Sequence, residues 1–144
     1  MELNFIREVS INYSGPRRAK TQIREAKSVA DFIRRVLPDN VREHFVTLFL
    51  DGAHQVIGYS VTATGNANSC PVHPREVFQN AVLIGAIAVI VSHNHPSGCI
   101  NPSAQDRTLT AKLKQAGEFL LIRLLDHVVI ADDEFFSFAE NGEL

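Results

Sequence analysis

Cysteine is nearly missing from this chain, with Cys70 and Cys99 standing far apart. Two isolated thiols make no disulfide scaffold. No Cys-x-x-Cys pair occurs, which removes the deaminase pattern of His-x-Glu followed by Pro-Cys-x-x-Cys. The helical zinc-protease motif His-Glu-x-x-His is absent as well. No apolar run has the length a bilayer requires, and Met1-Glu2-Leu3-Asn4 lacks the basic start and apolar run of a secretory leader. A cytoplasmic protein without membrane association is expected. Positive charge is not in excess either: 14 Lys and Arg face 16 Asp and Glu, a formal net charge of -2. The molecule as a whole therefore does not attract DNA electrostatically. Arg17, Arg18, Lys20, Arg24 and Lys27 do gather early. Such a run serves either as a patch for nucleic acid or an acidic partner, or, more commonly, as a solvated flank. Repeats and low-complexity tracts are lacking.

What remains has the makeup of one globular domain: 144 residues, 45% hydrophobic and 21% charged. Leu3, Phe5, Val9, Ile11 and Tyr13 alternate with polar residues and predict an N-terminal strand, ended by Ser14-Gly15-Pro16. Residues 17–27 read as a linker or loosely packed arm, so 1–27 is set apart from a main domain over 28–144. Ser28, with Asp31 three residues on, predicts a helix whose apolar stripe is Val29, Phe32, Ile33, Val36 and Leu37. Glu43–Leu50 predicts a strand covered on both sides, with Phe45 and Phe49 on one face and Val46, Leu48 and Leu50 on the other. His44 faces away from Glu43 and receives no metal role. A turn at 51–54 leads to a strand over 55–62, and 65–69 reads as a loop. Pro74 opens a helix to about Ile84 that turns Val77, Phe78, Ala81 and Val82 inward. The run Ala86–Val91 is a buried strand. Ala104–Ala116 is a helix with Leu109, Leu113 and Ala116 inward and Gly117 as its C-cap. Two strand pieces follow, over 119–125 and 128–130, and a short last strand over 135–138. Sheet covered by helices, an α/β (α+β) fold, is the architecture indicated.

The chemistry gathers after the buried strand, in Ser92-His93-Asn94-His95-Pro96-Ser97-Gly98-Cys99-Ile100-Asn101-Pro102-Ser103-Ala104-Gln105-Asp106. Histidines one residue apart share a face if the strand continues through them. Asp106 lies in the first turn of the next helix, three residues after Ser103 in the spacing of a capping box. Ser103 can cap while Asp106 points out toward the histidines. Two nitrogens and one oxygen, with a fourth position for water, suit catalytic zinc. His-x-His by itself is common by chance, so the signal is carried by the whole constellation.

These residues resemble the RadC-like family of JAMM (MPN-plus) metallopeptidase-type domains. Its signature is a distant upstream glutamate, then His-x-His, seven residues, Ser, two residues and Asp; it falls here on Glu43, His93, His95, Ser103 and Asp106. The likeness extends to Val72-His73-Pro74-Arg75-Glu76-Val77-Phe78, Asp126-His127-Val128-Val129-Ile130 and Ser137-Phe138-Ala139-Glu140, and runs from about Ser28 to the C-terminus. The helix-hairpin-helix module that precedes the domain in longer members is not expected here. The turn at Asp51-Gly52-Ala53-His54 departs from the family's more usual Asn- and Lys-containing one.

The resemblance implies a mixed, curved sheet with flanking helices, similar to the JAMM/MPN and cytidine-deaminase-like architecture. It also implies one Zn2+ per chain on His93, His95 and Asp106, with Glu43 as a base that hydrogen-bonds the water rather than ligating the metal. Ser103 would answer the oxyanion together with the zinc. The implied reaction is hydrolysis of a peptide or isopeptide bond in a protein or peptide. A DNA-repair accessory and a catalytically silent, metal-stabilised interaction domain stand as the alternatives. Asp126 and His127 either hydrogen-bond a ligand or, the commoner fate, make a structural contact. Cys99 is left outside the ligand set, because a thiolate there would compete for the open position. Ser97 and Gly98 shape the loop. Oligomeric state stays open.

Overall fold

A computed structural model describes residues 8–15, 19–65 and 71–144. Five strands form one sheet in the order β2-β1-β3-β4-β5: β1 His44–Leu50, β2 Val56–Thr64, β3 Ala88–Asn94, β4 Arg123–Ala131 and β5 Glu134–Ser137. The β3–β4 pair is parallel and the other pairs are antiparallel. Three helices flank the sheet: α1 Ala26–Val36, α2 Pro74–Leu83 and α3 Ala104–Leu120. This is the helix-covered sheet that the sequence pattern predicts, with the mixed strand directions that the resemblance implies.

The sheet buries both faces, which explains why its central strands lack polar alternation. On one face α1 lays Val29, Ala30 and Ile33 on Val46, Leu48, Leu50, Ile90, Val128 and Ile130. On the other, α2 and α3 bring Val77, Phe78, Ala81 and Leu113 against Phe45, Phe49, Val89 and Val91. The division of β1 between Phe45/Phe49 and Val46/Leu48/Leu50 is as the alternation predicts.

Several boundaries differ from expectation. The N-terminal strand does not form among the described residues: 8–14 has no ladder, and Val9 and Tyr13 are 79% and 74% exposed. Alternation alone builds no strand without an edge to pair with. Leu3, Phe5, Arg17 and Arg18 lie outside the described residues, as does most of the 65–69 loop. The arm is tied down further along, where Gln22 bridges Gln55 and Ile23 enters the core. Helix α1 starts before Ser28, with Glu25 as N-cap; Ser28 and Glu25 exchange capping-box bonds with their roles reversed. Val82 on α2 faces solvent.

The largest revision concerns Gly117, which lies inside α3 rather than capping it. Leu121, at φ 57°, is the C-cap. A Cβ at Gly117 would stand 2.4 Å from the Ile122 carbonyl oxygen and 3.2 Å from Phe78 Cζ. Glycine is there for close approach, not for a turn. The helix accordingly absorbs Phe119 and Leu120, and the two expected strand pieces fuse into the single strand β4.

Candidate metal centre

Antiparallel pairing closes the sequence gap of fifty residues between Glu43 and the histidines. In the β1–β3 ladder Phe45 faces His93, so the residue just before β1 meets the residue just after β3. Asn94, between the two histidines, reinforces this junction. Its side chain accepts from the His44 N–H at 2.8 Å and donates to the Arg42 carbonyl at 2.8 Å and to Asn40 Oδ1 at 3.0 Å. The peptides on either side of Glu43 are thus held by one amide.

His93 and His95 share the sheet face covered by α2 and α3, and their Nε2 atoms stand 2.9 Å apart. One ligand atom each from Glu43, His93 and His95 lies within 4.8 Å of the others. Asp106 falls outside that group of three, yet its carboxylate meets both rings: Oδ1 is 3.3 Å from His93 Nε2 and Oδ2 is 3.5 Å from His95 Nε2. The capping box aims it. The Ser103 N–H donates to Asp106 Oδ2 at 2.8 Å, and Ser103 Oγ accepts from the Asp106 N–H at 3.0 Å. Capping and pointing at the histidines are therefore compatible, as the spacing predicts. Ser103 Oγ accepts in this arrangement, and its own proton is left to donate elsewhere.

Each ring is held from behind. His95 Nδ1 lies 2.6 Å from the Cys99 carbonyl oxygen, which only accepts, so Nδ1 carries a proton, and in the neutral ring Nε2 presents a lone pair. Cys99 thus serves through its backbone, while its free thiol is exposed. His93 Nδ1 lies 2.8 Å from His127 Nε2, and His127 Nδ1 lies 2.6 Å from Thr110 Oγ1. His127 is buried between Phe138, stacked at 4.8 Å, and the edge of Phe45 at 5.7 Å. Its neighbour Asp126 plays a separate, structural part and accepts from the His127 N–H, from Ser137 Oγ at 2.6 Å and from the Ala139 N–H. The sequence patterns do not point to Asn94, Thr110 or the Cys99 carbonyl. Of the three only Asn94, enclosed by the two histidines, has a local signal.

The field of the site is uneven. Half-burial raises the Glu43 carboxyl above its ordinary value, against the pull of His93 and His95. Asp106 also suffers desolvation, but the interactions with the neighbouring His93 and His95 rings outweigh it and hold the carboxyl well below the ordinary carboxylate range. The Asp106 hydrogen bond raises His95, opposed by burial. Burial drives His127 far down, so its ring is neutral. The centre opens into a groove of about 860 Å³, lined by Val72, His73 and Pro74 and by Leu109 and Lys112 of α3.

Residues 23–143 match the family described as RadC-like JAB domain. The chain belongs to this family. It is also 38% identical over its 144 residues to a protein described as "UPF0758 protein" from Chlorobium chlorochromatii (strain CaD3). The match takes in all of this chain and 65% of that relative, so the chain spans about two thirds of the relative's length. The RadC-like JAB domain therefore combines a mixed α/β sheet with a His/His/Glu cluster able to coordinate a metal. Among the described residues no helix is long and apolar enough to cross a membrane.

Proposed function

We propose that this RadC-like JAB domain is a zinc-dependent hydrolase of an amide bond, peptide or isopeptide, with the metal on His93, His95 and Asp106. One observation carries the reading: two histidine Nε2 atoms stand 2.9 Å apart beside a shared carboxylate. The His95 nitrogen offers a lone pair, because its proton is committed to the Cys99 carbonyl. A lone pair aimed at a second ring nitrogen and a carboxylate calls for a cation, and this N₂O donor set suits zinc.

Zinc, when bound, supplies an acidified water and a Lewis acid for the carbonyl oxygen. Glu43 takes the proton of the attacking water and returns it to the leaving nitrogen. Its burial suits that role, since a raised carboxyl lies closer to the operating pH. Ser103, with its hydroxyl proton uncommitted by the cap, donates to the developing oxyanion. Asn94 keeps the Glu43 backbone in register with the histidines. The groove receives an extended protein or peptide segment between the 71–74 wall and α3.

The second reading is a catalytically silent, metal-stabilised interaction domain, and the Glu43 position favours it. Its carboxylate lies within ligand reach of the His93 and His95 nitrogens. Glu43 and Asp106 ligating together would close the coordination sphere, as in structural zinc sites.

The Glu43→Gln variant separates the two readings. As a proton shuttle, Glu43 is dispensable for zinc; the variant keeps stoichiometric metal and loses about 10² to 10⁴ in rate on a peptide or conjugate substrate. His95→Ala and Asp106→Ala lose the metal. Zinc departing from Glu43→Gln supports the structural site, and zinc retained in both His95→Ala and Asp106→Ala refutes the ligand set.

A further inference from the structure

Behind His93 lies a chain of three groups whose proton order the geometry constrains. Thr110 Oγ1 stands 2.6 Å from the Asp106 carbonyl oxygen, four residues back on α3, and 2.6 Å from His127 Nδ1. A hydroxyl has one proton. Carbonyl oxygen only accepts, and a helical threonine commonly back-bonds to the residue four earlier. The Thr110 proton therefore goes to Asp106, and its lone pair accepts from His127 Nδ1–H. A neutral His127 with a proton on Nδ1 has none on Nε2, which must accept. The donor to it is His93 Nδ1–H, 2.8 Å away. His93 is left with a bare Nε2 facing Asp106 and His95.

We propose that Thr110 and His127 are positioning residues that fix His93 as its Nδ1–H tautomer and so present Nε2 to a metal ion. This rests on the proposed reading that a metal is held by His93, His95 and Asp106. The same Thr110 oxygen that orders the His93 ring also bonds the backbone of Asp106. One side chain on α3 thereby ties together two of the ligands, which come from different elements. The arrangement runs in reverse if the Thr110 proton turns to His127: the protons of His127 and His93 both move to Nε2, and His93 then points a proton where the ion would sit. Proton direction in this chain is thus equivalent to metal competence, and Thr110 sets it.

Thr110→Val tests this without changing side-chain size. Valine removes the acceptor for His127 Nδ1–H, so the buried ring takes its other tautomer. Zinc affinity, read by competition with a chromophoric chelator, should fall about 10- to 100-fold, as for other groups that orient a metal-binding histidine. Thr110→Ser keeps the hydroxyl and should keep the wild-type affinity. Long-range proton–nitrogen spectra of zinc-loaded wild type should show His127 and His93 both protonated at Nδ1, a result no packing role requires and one that stands even if the valine variant fails to fold. Equal zinc affinity in a folded Thr110→Val, or His127 protonated at Nε2 in the loaded wild type, overturns the inference while leaving the metal centre intact. A wild-type chain that takes up no zinc overturns the metal centre itself, and the inference with it.

Discussion

In the zinc-free chain the second proton of His95 sits on Nε2, the atom that faces the Asp106 carboxylate. The Asp106 hydrogen bond raises His95 above 6.5, so the folded chain holds this proton more tightly than the unfolded one. The resulting stability is fully present below the unfolded value and is lost as pH rises through the folded one. His127 has the opposite sign. Its value is depressed by burial, so acid below about 6.5 protonates the unfolded chain preferentially and destabilises the fold. For these two groups the zinc-free protein should be most stable near pH 6.5, with Tm falling on both sides. Saturating zinc should abolish the alkaline decline, because the metal replaces the proton as pH rises. Thermal melts from pH 5 to 8.5, with chelator and with zinc, check this; an alkaline decline of equal slope in both series would contradict it.

At the scale of the element, α3 joins the site to the core. Its first turn carries the capping box that aims Asp106, its second carries Thr110, and its last packs Gly117 against β4. Glycine inside a helix ordinarily costs about 1 kcal/mol relative to alanine, and Gly117→Ala at an open position would recover it. Here the added methyl meets Ile122 backbone at 2.4 Å, which cannot swing aside as a flexible side chain does. We expect Gly117→Ala to destabilise the fold by about 1–3 kcal/mol, measured by urea unfolding. Stabilisation would mean that the α3–β4 junction is loose enough to yield. Zinc affinity should change little, since Asp106 lies three turns away along the helix.

For the whole molecule, the charge balance decides what kind of partner the fold can attract. Formal net charge is -2, and the described members of the early basic cluster are partly engaged. Lys27 pairs with Asp31 at 2.7 Å, Lys20 approaches Asp51 at 3.7 Å, and Arg24 bonds Gln22. The two exposed ion pairs contribute little stability, but they reduce the field available to a phosphate backbone. Duplex DNA should therefore bind weakly and release as salt rises from 50 to about 200 mM. Sub-micromolar, sequence-selective binding at physiological salt would promote the DNA-repair accessory reading over the hydrolase.

The residue types of the candidate centre were legible because strand and helix periodicities are local. Strand alternation puts His93 and His95 on one face, and helix capping puts Asp106 at an N-terminus three residues after Ser103. The two faces of β1 were legible for the same reason. Other features depend on partners remote in the chain. The strand expected over residues 3–13 has no ladder in its described part. Gly117 looked like a helix end because a close approach to Ile122 and Phe78 leaves no trace in the residues around it. Glu43 had a place in the family signature, but only the β1–β3 register brings it to the histidines. His127 and Thr110, 17 residues apart, show no spacing that joins them. Parallel pairing of β3 with β4 and the packing of α3 across both align their rings and hydroxyl. Periodicity constrains what one element presents, whereas hydrogen-bond direction between elements exists only once they are packed.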